Sequence, residues 1–116
     1  MSEDCLFCRI VSGALPTDLL AESERSIAFR DISPQAPVHV LVVPRRHEPN
    51  IGALAAASSD DLADLFAMVS QVAQAQGVAQ NHRLVFNTGA GAGQTIFHAH
   101  AHVLGGVDFS DHGLGL

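Results

Sequence analysis

The sequence predicts an α+β fold, in which an antiparallel sheet carries helices packed against it. Three observations lead there. Short β-branched runs are joined by connections of hairpin length, which suit antiparallel strands and are too short for parallel ones. One long stretch, Ser58 to Gly77, repeats apolar residues at the helical period. The elements run helix, strands, helix, strands, without the strict alternation of a parallel α/β fold.

Each element has a local reason. Asp4 to Ser12 reads as a short helix capped by Asp4, apolar at Leu6, Phe7 and Ile10, and closed by Gly13. Leu19 to Ala21 and Ser26 to Arg30 read as strands that turn at Glu22 to Arg25. The stretch from Asp31 to Pro37 holds two prolines and is a loop. Val38 to Val43 is a dense β-branched run stopped by Pro44, which marks a central strand. Ser58 caps the long helix, with Asp60 and Asp61 in its first turn. Leu62, Leu65, Phe66, Val69, Val72 and Ala73 form its apolar stripe, and Gly77 ends it. Leu84 to Phe86 begins another strand, Thr88 to Gly93 is a glycine-rich turn, and Thr95 to Leu104 is the last long strand.

The totals bound the answer. A chain of 116 residues fits one domain, residues 1–116, with 47% hydrophobic residues to build its core. The net charge is -6 and all six basic residues are Arg. That surface disfavours nucleic acid and anionic membranes, yet leaves room for a small phosphorylated ligand held by neutral donors. No apolar run reaches the 18 residues that suggest a membrane span, and the acidic start, Met1 to Asp4, is unlike a signal peptide. A cytoplasmic setting is expected. There, Cys5 and Cys8, a C-x2-C pair, point to metal or redox chemistry more than to a disulfide.

The stretch His98-Ala99-His100-Ala101-His102 is the densest chemical signal. On a strand, residues two apart share a face, so the three imidazoles point one way and the alanines the other. A solvated cluster, a metal site and a catalytic row all fit that pattern alone. Neutral imidazole is a nucleophile near neutral pH and a donor to phosphoryl oxygens. Just upstream lie Asn87-Thr88-Gly89 and Gly93-Gln94-Thr95, where glycines let backbone N–H groups approach an anion. The row beside that turn reads as a phosphate site.

These residues resemble the histidine triad (HIT) nucleotide hydrolases and transferases. The family signature alternates three histidines with apolar residues, and His98 to Leu104 matches it at every position. The stretches from Cys5 to Pro16, Arg30 to His47 and Phe86 to Gly106 resemble the Hint-like branch, whose type member is a purine nucleoside phosphoramidase. The resemblance implies a five-stranded antiparallel sheet with two helices, joined into a homodimer. It implies cleavage of a nucleoside monophosphate from its leaving group, with His100 attacking the α-phosphorus to form a covalent nucleotidyl-imidazole. By the same likeness His39 and His102 flank the phosphate and stabilise its charge. Gly93, Gln94 and Thr95 add donors, Thr95 also assists the leaving group, and Asn87 positions substrate. Asp31 corresponds to the acid that bonds the ribose hydroxyls, and Phe7, Ile10, Phe29 and Ile32 to an apolar slot for a purine.

Bacterial relatives with the C-x2-C pair imply a closed Cys2His2 site for structural Zn2+, made by Cys5, Cys8, His47 and His98. His82 and His112 match no motif and read as surface residues. The tail, Val107 to Leu116, is where the likeness fades. His102 argues against a nucleotidyl transferase of the galactose-1-phosphate type, which carries Gln at that position. A dinucleoside polyphosphate hydrolase and a non-enzymatic, zinc-stabilised nucleotide-binding protein are the rival readings.

Overall fold

The computed structural model describes residues 4–110, so His112 and the end of the tail lie outside the described residues. Five strands form one antiparallel sheet in the order β1-β2-β3-β5-β4. They are β1 (Ala21–Glu22), β2 (Ser26–Arg30), β3 (Val38–Pro44), β4 (His82–Val85) and β5 (Ala101–Gly105). Three helices accompany them: α1 (Leu6–Val11), α2 (Ile51–Ala57) and α3 (Ser59–Ala75). The expected α+β class and five-stranded antiparallel sheet are therefore met.

Alternation along the central strand builds two cores. Val40 and Val42 point to one face and pack with Leu65, Met68, Val69 and Val72 of α3. Leu41 and Val43 point to the other and pack with Cys5, Phe7 and Cys8 around α1. Strand β3 can be apolar on both sides because helices cover both. On β5, Ala101 and Val103 join the α3 core, which turns His102 toward the α1 face.

Ser58 caps α3 as expected, its hydroxyl accepting from the Asp61 N–H at 3.1 Å. Asp61 is itself buried and takes hydrogen bonds from Arg25 and Arg46. Burial alone pushes its carboxyl up, but the bonds to Arg25 and Arg46 outweigh it and hold the group below the ordinary value. The node ties the start of α3 to the β1–β2 turn and to the end of β3.

Three local expectations are corrected. The first helix begins at Leu6 and its cap is Cys5 rather than Asp4, because the Cys5 sulfur accepts the Cys8 N–H. Helix α2 was not anticipated; Ile51–Ala57 has no apolar period, and Asn50 supplies its cap by accepting from the Ala53 N–H. The last strand covers Ala101–Gly105, not Thr95 to Leu104. Its pairing with β3 runs from Val38 opposite Gly105 to Val42 opposite Ala101 and stops there. The side chains of 98–102 still alternate, since Ala99 lies in the α3 core and His98 against Phe7.

Candidate functional site

The triad sits where β3 and β5 lie side by side. His39 on β3 is opposite Leu104 and Leu41 is opposite His102, so His39 and His102 are diagonal neighbours on the α1 face. The His100 and His102 ring centroids are 4.9 Å apart, and Phe7 meets the His100 ring edge-on at 5.0 Å.

Backbone groups assign the protons on these rings. The Gln35 N–H donates to His39 Nδ1 at 3.0 Å, so that nitrogen holds a lone pair and Nε2 the proton. The His39 Nε2–H donates to His102 Nδ1 at 2.9 Å, which leaves the His102 proton on Nε2. The His100 Nδ1–H donates to the His98 carbonyl at 2.7 Å, which leaves His100 Nε2 with its lone pair. The outcome is one nucleophilic nitrogen beside one N–H donor.

Electrostatics favours the same neutral forms. Burial pushes His100 below its ordinary value, against smaller upward pulls from the His98 carbonyl and Asp31. His102 is lowered to about 4 by burial first and then by His100 and His39, with Asp31 opposing. Both rings are neutral at pH 7.

Next to the triad lies a groove of about 480 Å³, a size that suits a small ligand. Phe7, Ile10, Phe29, Asp31, Ile32 and Thr95 all line it. Phe7 and Phe29 form its buried floor with ring centroids 5.7 Å apart, while Ile32 is 97% exposed and stands at its rim. Leu41 and Ile96 also line it, as do Leu15, Pro16 and Thr17. The β3 alternation that places His39 on this face would have found Leu41; the loop residues carry no such signal. Asp31 joins groove to triad, with Oδ2 at 3.5 Å from His39 Nε2 and Oδ1 accepting the Ser33 N–H.

The loop before the triad is organised from within. Gly89 and Gly93 adopt positive φ, 90° and 96°, which only glycine takes without strain. Gln94 is buried and spends its side chain on backbone: Oε1 accepts the Gly89 N–H, and Nε2 donates to the Pro49 and Ile96 carbonyls. The Gly93 and Gln94 N–H groups are bonded to Ala90 and Gly89. In this conformation both residues shape the loop. Among the described residues, Thr95 makes no hydrogen bond and is exposed, so its hydroxyl and N–H are available. Asn87 is partly buried at the start of the loop. His39 lies behind His102, with both ring nitrogens engaged.

On the far side of Phe7, four donors converge: Cys5, Cys8, His47 and His98. The sulfur–Nδ1 distances are 3.4 Å for Cys5–His98, 3.2 Å for Cys8–His47 and 3.6 Å for Cys8–His98, and the two Nδ1 atoms are 3.1 Å apart. A tetrahedral Zn2+ site has edges of about 3.6 Å for S···N and about 3.3 Å for N···N, from its ordinary bond lengths. The donor set fits that ion. The His98 Nε2–H donates to the Pro44 carbonyl at 2.8 Å, which frees Nδ1 as a ligand and fixes the ring. His82, by contrast, is exposed and its Nδ1–H donates to the Val78 carbonyl.

The segment after β3 serves both sites. His47 faces the cysteines, the Glu48 carbonyl accepts the Ala99 N–H at 2.7 Å, the Pro49 carbonyl takes Gln94, and Asn50 caps α2.

Comparison with known proteins agrees with this geometry. The chain is 35% identical over 107 residues to the purine nucleoside phosphoramidase of Escherichia coli K12, covering 91% of this chain and 90% of that protein. It is 41% identical over 106 residues to an uncharacterized HIT-like protein of Synechococcus elongatus, covering 91% and 93% of the two chains. A HIT family hydrolase structure from Clostridium thermocellum superposes with a TM-score of 0.88 at 43% identity, covering 93% of this chain and 95% of that one. Among the described residues no helix is long and apolar enough to cross a membrane. The HIT domain model matches residues 12–109, and with these relatives it places the chain in the HIT family.

Proposed function

We propose that the chain hydrolyses purine nucleoside phosphoramidates, or related conjugates of a nucleoside monophosphate, through a covalent nucleotidyl-His100 intermediate. The observation that carries this reading is the proton assignment: His100 Nε2 holds a lone pair beside an N–H of His102. The phosphoramidase of Escherichia coli, aligned over nine-tenths of the chain, supports the substrate class.

The base occupies the groove between Ile10 and Ile32, above Phe7 and Phe29. Asp31 accepts from the ribose hydroxyls, and Asn87 helps position the phosphate and sugar. The His100 Nε2 lone pair attacks the α-phosphorus, and the P–N bond to the leaving group breaks. Its electron pair stays on the departing nitrogen, which leaves as the amine after taking a proton through the Thr95 hydroxyl, resupplied by water. The His102 N–H stabilises the phosphoryl oxygens, and His39 keeps that N–H turned toward them. Water then attacks the same phosphorus and loses a proton to solvent. The phosphorus–imidazole bond breaks, returning its pair to Nε2 and releasing the nucleoside monophosphate. Zn2+ held by Cys5, Cys8, His47 and His98 supplies closed, structural coordination.

The whole chain acts as one domain in this reading, as a cytoplasmic homodimer. The outer edge of β4, the last strand of the sheet, and the half-exposed Phe66 on α3 support the dimer.

The test is AMP release from adenosine 5′-phosphoramidate. Wild type is expected to turn over, and His100→Ala to lose on the order of 10⁴-fold. A folded wild type without turnover overturns the reading; release of AMP with ATP from diadenosine tetraphosphate would then assign the polyphosphate branch.

A further inference from the structure

We infer that the Cys5–Cys8–His47–His98 cluster is a clamp on the nucleoside groove, so that metal ligation sets the affinity for the purine base through α1. The inference rests on the nucleoside reading of the groove and extends it.

Helix α1 has six residues, too few to persist by its own hydrogen bonds. Its start is made by a metal ligand, since the Cys5 sulfur caps the helix by accepting the Cys8 N–H at 3.3 Å. The second ligand, Cys8, lies one turn on. Between and beyond them, Leu6, Phe7 and Ile10 line the groove. One short helix therefore carries two thiol donors on one side and the base wall on the other. The remaining donors belong to the sheet side: His47 follows β3, and His98 precedes β5. Closing the four donors on one ion fixes α1 against the sheet.

Three other groups of the site have supports outside α1. Asp31 follows β2, His102 is on β5, and Thr95 belongs to the loop held by Gln94. Release of the ion thus removes the wall that contacts a base and leaves Asp31, His102 and Thr95 in place for ribose and phosphate; His100 alone of the phosphate-contacting groups is tied to the cluster, through the His98 carbonyl and Phe7. Linkage makes the effect reciprocal: whatever factor the ion adds to base affinity, a bound base adds to ion affinity.

The experiment measures two ligands on two forms of the full chain. AMP and ribose 5-phosphate are titrated by NMR into the Zn2+-loaded protein and into protein stripped with a chelator. In parallel, the Co2+ affinity is read from its thiolate absorption, with and without saturating AMP or ribose 5-phosphate. The expected result is AMP binding weakened about tenfold or more on stripping, ribose 5-phosphate changed less than about twofold, and Co2+ bound about tenfold tighter with AMP alone. Equal AMP affinity in the two forms overturns the clamp. Parallel loss of both ligands, the signature of general unfolding, overturns it too, as does Co2+ affinity indifferent to AMP. A loaded protein that binds no AMP fails the nucleoside reading itself, and is distinguished by that first titration.

Discussion

Among the described residues, two clusters bring metal-capable atoms together within 4.8 Å: Cys5, Cys8, His47 and His98 in one, and Asp31, His39 and His102 in the other. They differ in where the protons sit. At His98 the Pro44 carbonyl takes the Nε2–H, so the lone pair faces inward to a cation. At His39 the Gln35 N–H occupies Nδ1, so Nε2 must carry a proton, and that proton faces His102. A metal on His39 Nε2 would require an imidazolate. One backbone carbonyl and one backbone N–H thus separate a coordination site from a hydrogen-bond chain. Residue type and spacing do not decide between them; the polarity of the group behind each ring does.

The contrast can be broken from either side. The largest effect is expected at the first cluster. Cys8→Ser should reduce the metal content from about one ion per chain to near zero and cost on the order of 5 kcal/mol in denaturant unfolding. At the second cluster, His39→Leu should leave the metal content intact and reduce kcat/KM about 10²-fold, because His102 loses the partner that fixes its proton. His39→Gln should recover part of that loss, since its amide can still donate to His102 Nδ1. Loss of metal from His39→Leu would erase the distinction. Between the clusters, Gln94→Glu puts a carboxylate against the Pro49 and Ile96 carbonyls. It should cost about 1–3 kcal/mol and raise KM for the phosphoramidate more than it lowers kcat.

The last effect is a pH slope. His102 titrates near 4 in the fold and near its ordinary 6.5 in the unfolded chain. As pH falls from 6.5 toward 4, the unfolded chain takes up this proton first, so stability declines, and the contribution levels off below 4. Urea unfolding of wild type and His102→Asn across that range should differ in slope by about one proton, the wild type being steeper.

The fold was legible where local chemistry and tertiary packing agree. The β-branched run at Val38 and the Ser58 cap with its stripe of leucines and valines each specify an element that the structure contains. Helix α2 was not legible, because Ile51–Ala57 is alanine-rich around Gly52 and has no polar side to give a period. The last strand was overextended because alternation continues through 98–100 after the ladder with β3 ends. In the site, residue types at the triad and the C-x2-C gave the donors. The tautomers were not readable, because each depends on the backbone group that the fold turns toward the ring: the distant Pro44 carbonyl for His98, the turn at Gln35 for His39 and the His98 carbonyl for His100. The partners of Gln94 were unreadable for a related reason: a polar residue beside glycines looks like a ligand donor, and its bonds to Pro49 and Ile96 exist only once the chain is folded.

The four residues from His47 to Asn50 have a consequence for how this chain tolerates change in length. Each has a different obligation: a donor to the metal cluster, a carbonyl for Ala99, a carbonyl for Gln94 and a cap for α2. A single inserted residue shifts all four out of register at once, and no side-chain substitution can restore them. The connection between β3 and α2 is therefore a fixed-length hinge point of the architecture. Insertions and fused segments belong elsewhere, for instance at the exposed residues Ala79 and Gln80 between α3 and β4, whose backbone carries no partner from the triad or the cysteines.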